Sequence, residues 1–296
     1  MFHEIKFFHL FGWMLAALIM AAFILLQTTG NPLLIDIAMQ LVFYVVVPVA
    51  FFGYHFKKQG IRLNQVMFLR GSARWILPLL GLTVVLMAFS LSVFWLMLRA
   101  LHIVTPSAVG FFFQTAPLPE EVWYLVSLSL IIGIIGPIAE EFVFRGLILT
   151  QLVARFGMWS GVGLSSFLFG IFHIGFFGSF MFAVLASFLY LKTHNLLIPI
   201  LLHIFNNMIV VALLFTNPDF PEWLTVTSVN DLYTKAWPNL IVLVATLVLL
   251  LAIILRLAKD LEEPPNDLFD VFKDSDNQKI DERPHDPPES RPGSLE

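Results

Sequence analysis

Residues 122–146 read V-W-Y-L-V-S-L-S-L-I-I-G-I-I-G-P-I-A-E-E-F-V-F-R-G. The stretch 122–139 carries no charge, and then Glu140, Glu141 and Arg145 follow within six residues. A bilayer-spanning helix needs ~20 apolar residues, so this run reads as a membrane helix with a charged end that is itself apolar in its surroundings. A charged side chain deep in a bilayer costs at least ~2.5 kcal/mol, and ionisable residues kept at that depth are functional candidates.

The rest of the chain agrees with a membrane setting. Of its 296 residues 58% are hydrophobic and only 13% charged, about half the charge of a soluble domain. The absence of cysteine excludes disulfides, thiolate metal sites and a cysteine nucleophile. The apolar run 8–29 is too long for a signal-peptide core and has no small-residue cleavage site after it, so it is expected to remain as a helix. No C-a-a-X box ends the chain, so the protein is not itself expected to be prenylated.

Apolar stretches at 8–29, 33–54, 75–98, 122–139, 162–175, 179–191, 196–216 and 237–256 predict an all-α polytopic bundle of about eight transmembrane helices. The fifth and sixth are short and set off by glycine turns at Gly157, Gly161, Gly175 and Gly178. Residues 141–156 extend the fourth span, and Gly136-Pro137 predicts a kink just before the glutamates. Loop 55–74 holds Lys57, Lys58, Arg62, Arg70 and Arg74 without an acid, which places it in the cytoplasm. Lys6, Arg155, Lys192, Arg256 and both termini then fall inside, while loops 102–121 and 217–236 fall outside; Arg99 is the exception, near an outer helix end. From residue 257 onward 12 acidic residues face 5 basic ones among many prolines, which predicts a disordered acidic tail.

Further polar residues interrupt the later spans. F-G-I-F-H places His173 in the fifth, and H-I-F-N-N places His203 and Asn207 one turn apart on a face of the seventh. Glu141 and Arg145 are i and i+4 and can pair, whereas Glu140 points ~100° away. At ~1.5 Å per residue, Glu140, His173 and His203 lie about 22, 18 and 16 Å from cytoplasmic anchors, so they can share one depth. Each has a plainer reading. A membrane histidine is often a packing residue, a Glu–Arg pair can be structural, and His203 with Asn207 can be interhelical glue worth ~1 kcal/mol. Together the six exceed what packing requires.

Their chemistry fits hydrolysis by activated water. There is no nucleophile elbow, since Gly163-Leu164-Ser165-Ser166 does not form one. Burial and a neighbouring like charge strengthen a carboxylate as a base. With Arg145 neutralising Glu141, Glu140 is left as general base, able to hold a water with His173. His203 and Asn207 are then placed to donate hydrogen bonds to an oxyanion.

At these residues the chain resembles the CAAX protease and bacteriocin-processing family, which includes the Rce1 prenyl-protein endopeptidase. The family motifs E-E-x-x-x-R, F-x-x-x-H and H-x-x-x-N/D stand as Glu140-Glu141…Arg145, Phe169…His173 and His203…Asn207, in order and spacing. The resemblance covers about residues 120–216. It implies an eight-helix intramembrane protease in which Glu140 and His173 activate water, His203 and Asn207 form the oxyanion hole, and Glu141 and Arg145 support them; Asn206 fits the spacing less well. It also implies a division into N-terminal transmembrane helices (1–119), a protease core (120–216), an outer loop with the last helix (217–256) and the tail (257–296).

The resemblance favours a metal-free glutamate mechanism, so no cofactor is expected, zinc held by two histidines and a carboxylate being the alternative. The expected partners are a peptide or protein substrate, prenylated or membrane-embedded, and the lipid bilayer. No nucleic acid is expected, because no basic patch or P-loop is present. The expected location is a plasma membrane, that of a prokaryote. Peptide maturation, bacteriocin processing and self-immunity are substrate alternatives. A transporter would need a continuous polar path, and spans one to three hold little besides Asp36 and Arg99; a non-catalytic scaffold is the remaining reading.

Overall fold

The computed structural model describes residues 5, 7–27, 30–113, 119–216, 221–223 and 225–261. Among these every regular element is helical. The principal helices are α1 (Phe7–Gln27), α2 (Pro32–Gln59), α3 (Ala73–Val104), α4 (Val122–Phe156), α5 (Met158–Ile171), α6 (Phe176–Thr193), α7 (Leu197–Thr216) and α8 (Ala236–Ala258). Six of them, α2, α3, α4, α6, α7 and α8, are long and apolar enough to cross a membrane; the apolar stretch His9–Leu25 of α1, and α5, are shorter. The chain is therefore a polytopic helix bundle. Along α8 the exposed residues Ile241, Val244, Val248, Leu251 and Leu255 recur at three- and four-residue spacing, an apolar stripe suited to lipid.

Helix α6 is the most buried of the six spans and packs against α3, α5, α7 and α8. Helices α2 and α4 pack on each other, and α7 lies against α4. Glycines permit two close approaches. A Cβ on Gly161 would lie 2.5 Å from the Val153 backbone nitrogen, and one on Gly178 would lie 2.6 Å from Ser90 Oγ. Both glycines sit inside helices rather than in turns, contrary to expectation; the turns are made at Gly157, with φ of 80°, and at Gly175.

The kink expected at Gly136-Pro137 takes another form. Helix α4 stays helical from Val122 to Phe156, with π-helical turns at Ile131–Ile135 and Phe142–Leu149. Proline cannot donate to the preceding turn and its ring crowds the carbonyl four residues back. For Pro137 that carbonyl belongs to Gly133, inside the first π turn. Pro48 does the same in α2, where Tyr44 lies inside the π turn Val42–Val46. Nothing in the structure explains the turn at Phe142–Leu149.

Two connections are pinned by polar side chains. Asn195, buried between α6 and α7, bonds the backbone N–H and carbonyl of Phe68 and the hydroxyl of Ser72. Lys57 and Lys58 belong to the last turn of α2, which Gly60 ends in a left-handed conformation, rather than to the loop. At the other end Arg99 lies over the rings of Trp95 and Tyr233, 5.7 and 5.1 Å from their centroids. Leu257–Leu261, read as the start of the tail, continue α8 and a 3-10 turn; the acidic residues from 262 onward, like Lys6, lie outside the described residues.

Candidate active site

Glu140, Glu141 and Arg145 come from the middle of α4, His203 and Asn207 from one face of α7, and His173 from the α5–α6 turn. This last placement corrects the expectation of a helical His173: α5 ends at Ile171, because Phe172 leaves helical geometry and Gly175 precedes the next helix. The apolar Phe172 and Ile174 on either side hide the break from a hydrophobicity reading.

The two glutamates divide as their 100° offset implies. Glu141 and Arg145 are fully buried and joined by a 2.7 Å ion pair. His203 Nδ1 bonds the same Glu141 Oε1 at 2.8 Å. Arg145 also lies over Phe169 and Phe182, with its guanidinium carbon 4.7 and 5.6 Å from their centroids. Charge and aromatic faces together compensate a cation placed where water is excluded.

Glu140 instead faces a cavity of about 450 Å³, shared with His173, His203, Asn206 and Asn207. Its Oε2 is buried, has no hydrogen-bond partner, and stands 3.9 Å from His173 Nε2 and 4.0 Å from His203 Nε2. Those separations are too long for direct bonds, and a water ~2.8 Å from each atom would bridge them. His173 Nδ1 bonds the carbonyl of Phe169 at 2.8 Å. A carbonyl only accepts, so Nδ1 carries a proton, and Nε2 is the ring nitrogen turned toward Glu140. The Phe169 ring stacks on His173, centroids 4.4 Å apart, which fixes the imidazole plane.

Asn207 has a structural partner. Its Nδ2 donates to the carbonyl of Ile132 at 2.8 Å, and Asn206 Nδ2 donates to Asn207 Oδ1 at 3.2 Å. In the π register Ile132 would pair with residue 137, a proline without N–H. The asparagine fills the bond that Pro137 withholds.

Among the described residues no group of three or more His, Cys, Asp or Glu is arranged to hold a metal ion. The Glu140–histidine separations of 3.9 and 4.0 Å exceed the ~3.4 Å between neighbouring ligands on tetrahedral zinc with ~2.1 Å bonds.

Residues 121–209 match a family model, Type II CAAX prenyl endopeptidase Rce1-like. Over this segment the chain is similar to the Rce1-like domain. All six motif residues fall inside it. No curated protein and no solved structure matches the chain.

The cavity also takes residues from outside the matched segment. Gln40 and Tyr44 reach it from α2, and Ser90 from α3. The sequence reading missed them. A signal existed, since Asp36, Gln40 and Tyr44 recur every four residues along 32–53, a stretch otherwise apolar.

Proposed function

We propose that the protein is a membrane endopeptidase that hydrolyses its substrate with a water held by Glu140 and His173. The observation that carries this reading is the unpartnered Glu140 Oε2 facing two histidine nitrogens at one-water distance, inside the segment similar to the Rce1-like domain. In the proposed reaction Glu140 takes a proton from the water, and the hydroxide attacks the scissile carbonyl. His203 Nε2 and the second N–H of Asn207 donate to the developing oxyanion, where fixed donors in a partly buried site are worth more than donors in water. The bond between His203 Nδ1 and Glu141 orients the ring so that Nε2 faces the cavity. Arg145 and Glu141 act on the reaction through His203. Glu140 returns its proton to the leaving amine, completing hydrolysis without a metal.

The substrate is a peptide or protein; we propose a site beside the lipid bilayer, reached by a prenylated C-a-a-X tail or by a peptide precursor. A fluorogenic prenylated peptide and its unprenylated twin, each with and without a chelator, test this. Cleavage that survives chelation supports the glutamate mechanism, and lipid dependence selects the prenylated class. Loss of cleavage with chelator, restored by zinc, would contradict the metal-free reading.

A further inference from the structure

We propose that Tyr44, on α2 and outside the matched segment, is a positioning residue for Glu140. The inference rests on the peptidase reading above. Tyr44 lines the same cavity as Glu140, and its ring borders Gly136, one turn before that glutamate. Oε2 of the Glu140 carboxylate faces the histidines without a hydrogen-bond partner; in the proposed arrangement the tyrosine hydroxyl donates to Oε1 and leaves Oε2 to the water. A base held by one oxygen presents the other to water in one orientation, which is what proton abstraction requires.

The backbone is arranged for this contact. Pro48 forces the π turn that contains Tyr44, and Pro137 forces the π turn just before the glutamates. The two segments pack against each other. Gly136 lies between them, and a Cβ there would touch the Tyr44 ring at 3.6 Å while crowding the Ile131 carbonyl at 3.1 Å. The absent side chain leaves the ring a flat seat one turn from Glu140. Tyr44 also ends a polar row, for Gln40 reaches the cavity and bonds Asp36 at 2.8 Å, and Tyr124 of α4 bonds the same Asp36 oxygen at 2.9 Å. The row ties α2 to α4 along the face that carries Tyr44.

Tyr44→Phe removes only the hydroxyl. The titratable groups around Glu140 are Tyr44 from α2, Glu141 and Arg145 from α4, His173 from the α5–α6 turn and His203 from α7. A hydrogen bond donated to a carboxylate favours its charged form. Losing it therefore moves the acidic limb of the kcat/KM profile to higher pH. The expected kinetic result is a fall in kcat of about tenfold with KM nearly unchanged, because the ring still packs. Wild-type kcat with an unshifted pH profile in Tyr44→Phe would overturn the proposal and leave the peptidase reading intact.

A second readout needs no turnover. Unfolding midpoints of Tyr44→Phe, Glu140→Ala and the double variant in detergent form a double-mutant cycle. Tyr44→Phe is expected to lower the midpoint in the wild-type background and not in Glu140→Ala. Equal shifts in both backgrounds would show that the two groups are not coupled and would also overturn it.

Discussion

Asn207 on α7 donates to the carbonyl of Ile132 on α4, 2.8 Å away, and that carbonyl is available because Pro137 has no N–H to offer it. One proline thus docks the third motif against the helix that carries the first. Asn207→Ala is expected to destabilise the protein by about 1 kcal/mol, and by less in a Pro137→Ala background, where a backbone N–H returns. Thermal unfolding of the four proteins in detergent measures this, and additive shifts would contradict the account.

Among the described residues Glu141 is bonded by Arg145 and His203 alone. Removing one member of a buried pair leaves an uncompensated charge, at a cost of about 3–5 kcal/mol. Arg145→Leu is therefore expected to lower stability severely. Arg145→Lys should rescue little, since a lysine offers a point charge and no flat face to Phe169. Expression yield and unfolding midpoint in detergent check both.

Gly161 touches α4 backbone rather than a movable side chain: its Cβ would fall 2.5 Å from Val153 N and 2.6 Å from Val153 Cα. Gly161→Ala must push α5 away from α4, at an expected cost of about 1–3 kcal/mol. Gly163 has open space at the same position and serves as the control. Gly163→Ala should leave the unfolding midpoint unchanged or slightly raised.

Asp231, between α7 and α8, is held well below the usual carboxylate range by Lys235, 3.0 Å away, and by the backbone N–H of Thr227. A depressed folded value means the contribution is present above the unfolded value of ~3.9 and fades as pH falls below it. The segment that Asp231 caps holds Leu232, whose carbonyl accepts from Trp95 Nε1 at 3.2 Å. Acidification from pH 5 to 2 should therefore loosen this end of the molecule, followed by tryptophan fluorescence. Asp231→Asn should be looser already at pH 5 and show a smaller change on acidification.

Much of the site was legible because helical spacing converts directly into geometry. Glu141 with Arg145, and His203 with Asn207, are four apart on continuous helices, and their faces follow. The 100° offset between Glu140 and Glu141 likewise separates a cavity-facing carboxylate from a buried one. His173 was misread as helical, since Phe172 and Ile174 keep the apolar pattern going through a turn. Tyr44 was missed because a tyrosine in an apolar helix also reads as an interfacial anchor. Prolines 48 and 137 announce a break without saying whether the helix kinks or widens. The Gly161 and Gly178 contacts depend on which helices meet, a tertiary fact that spacing does not carry.

The central claim is that Glu140 is the base. Purified wild type and Glu140→Gln, confirmed as equally folded by their unfolding midpoints, should be incubated with the same fluorogenic peptides. The account predicts cleavage by wild type and a loss of about a thousandfold or more in kcat for the variant, the combined cost of losing the base and the water it holds. Cleavage by Glu140→Gln at a rate near wild type would contradict it.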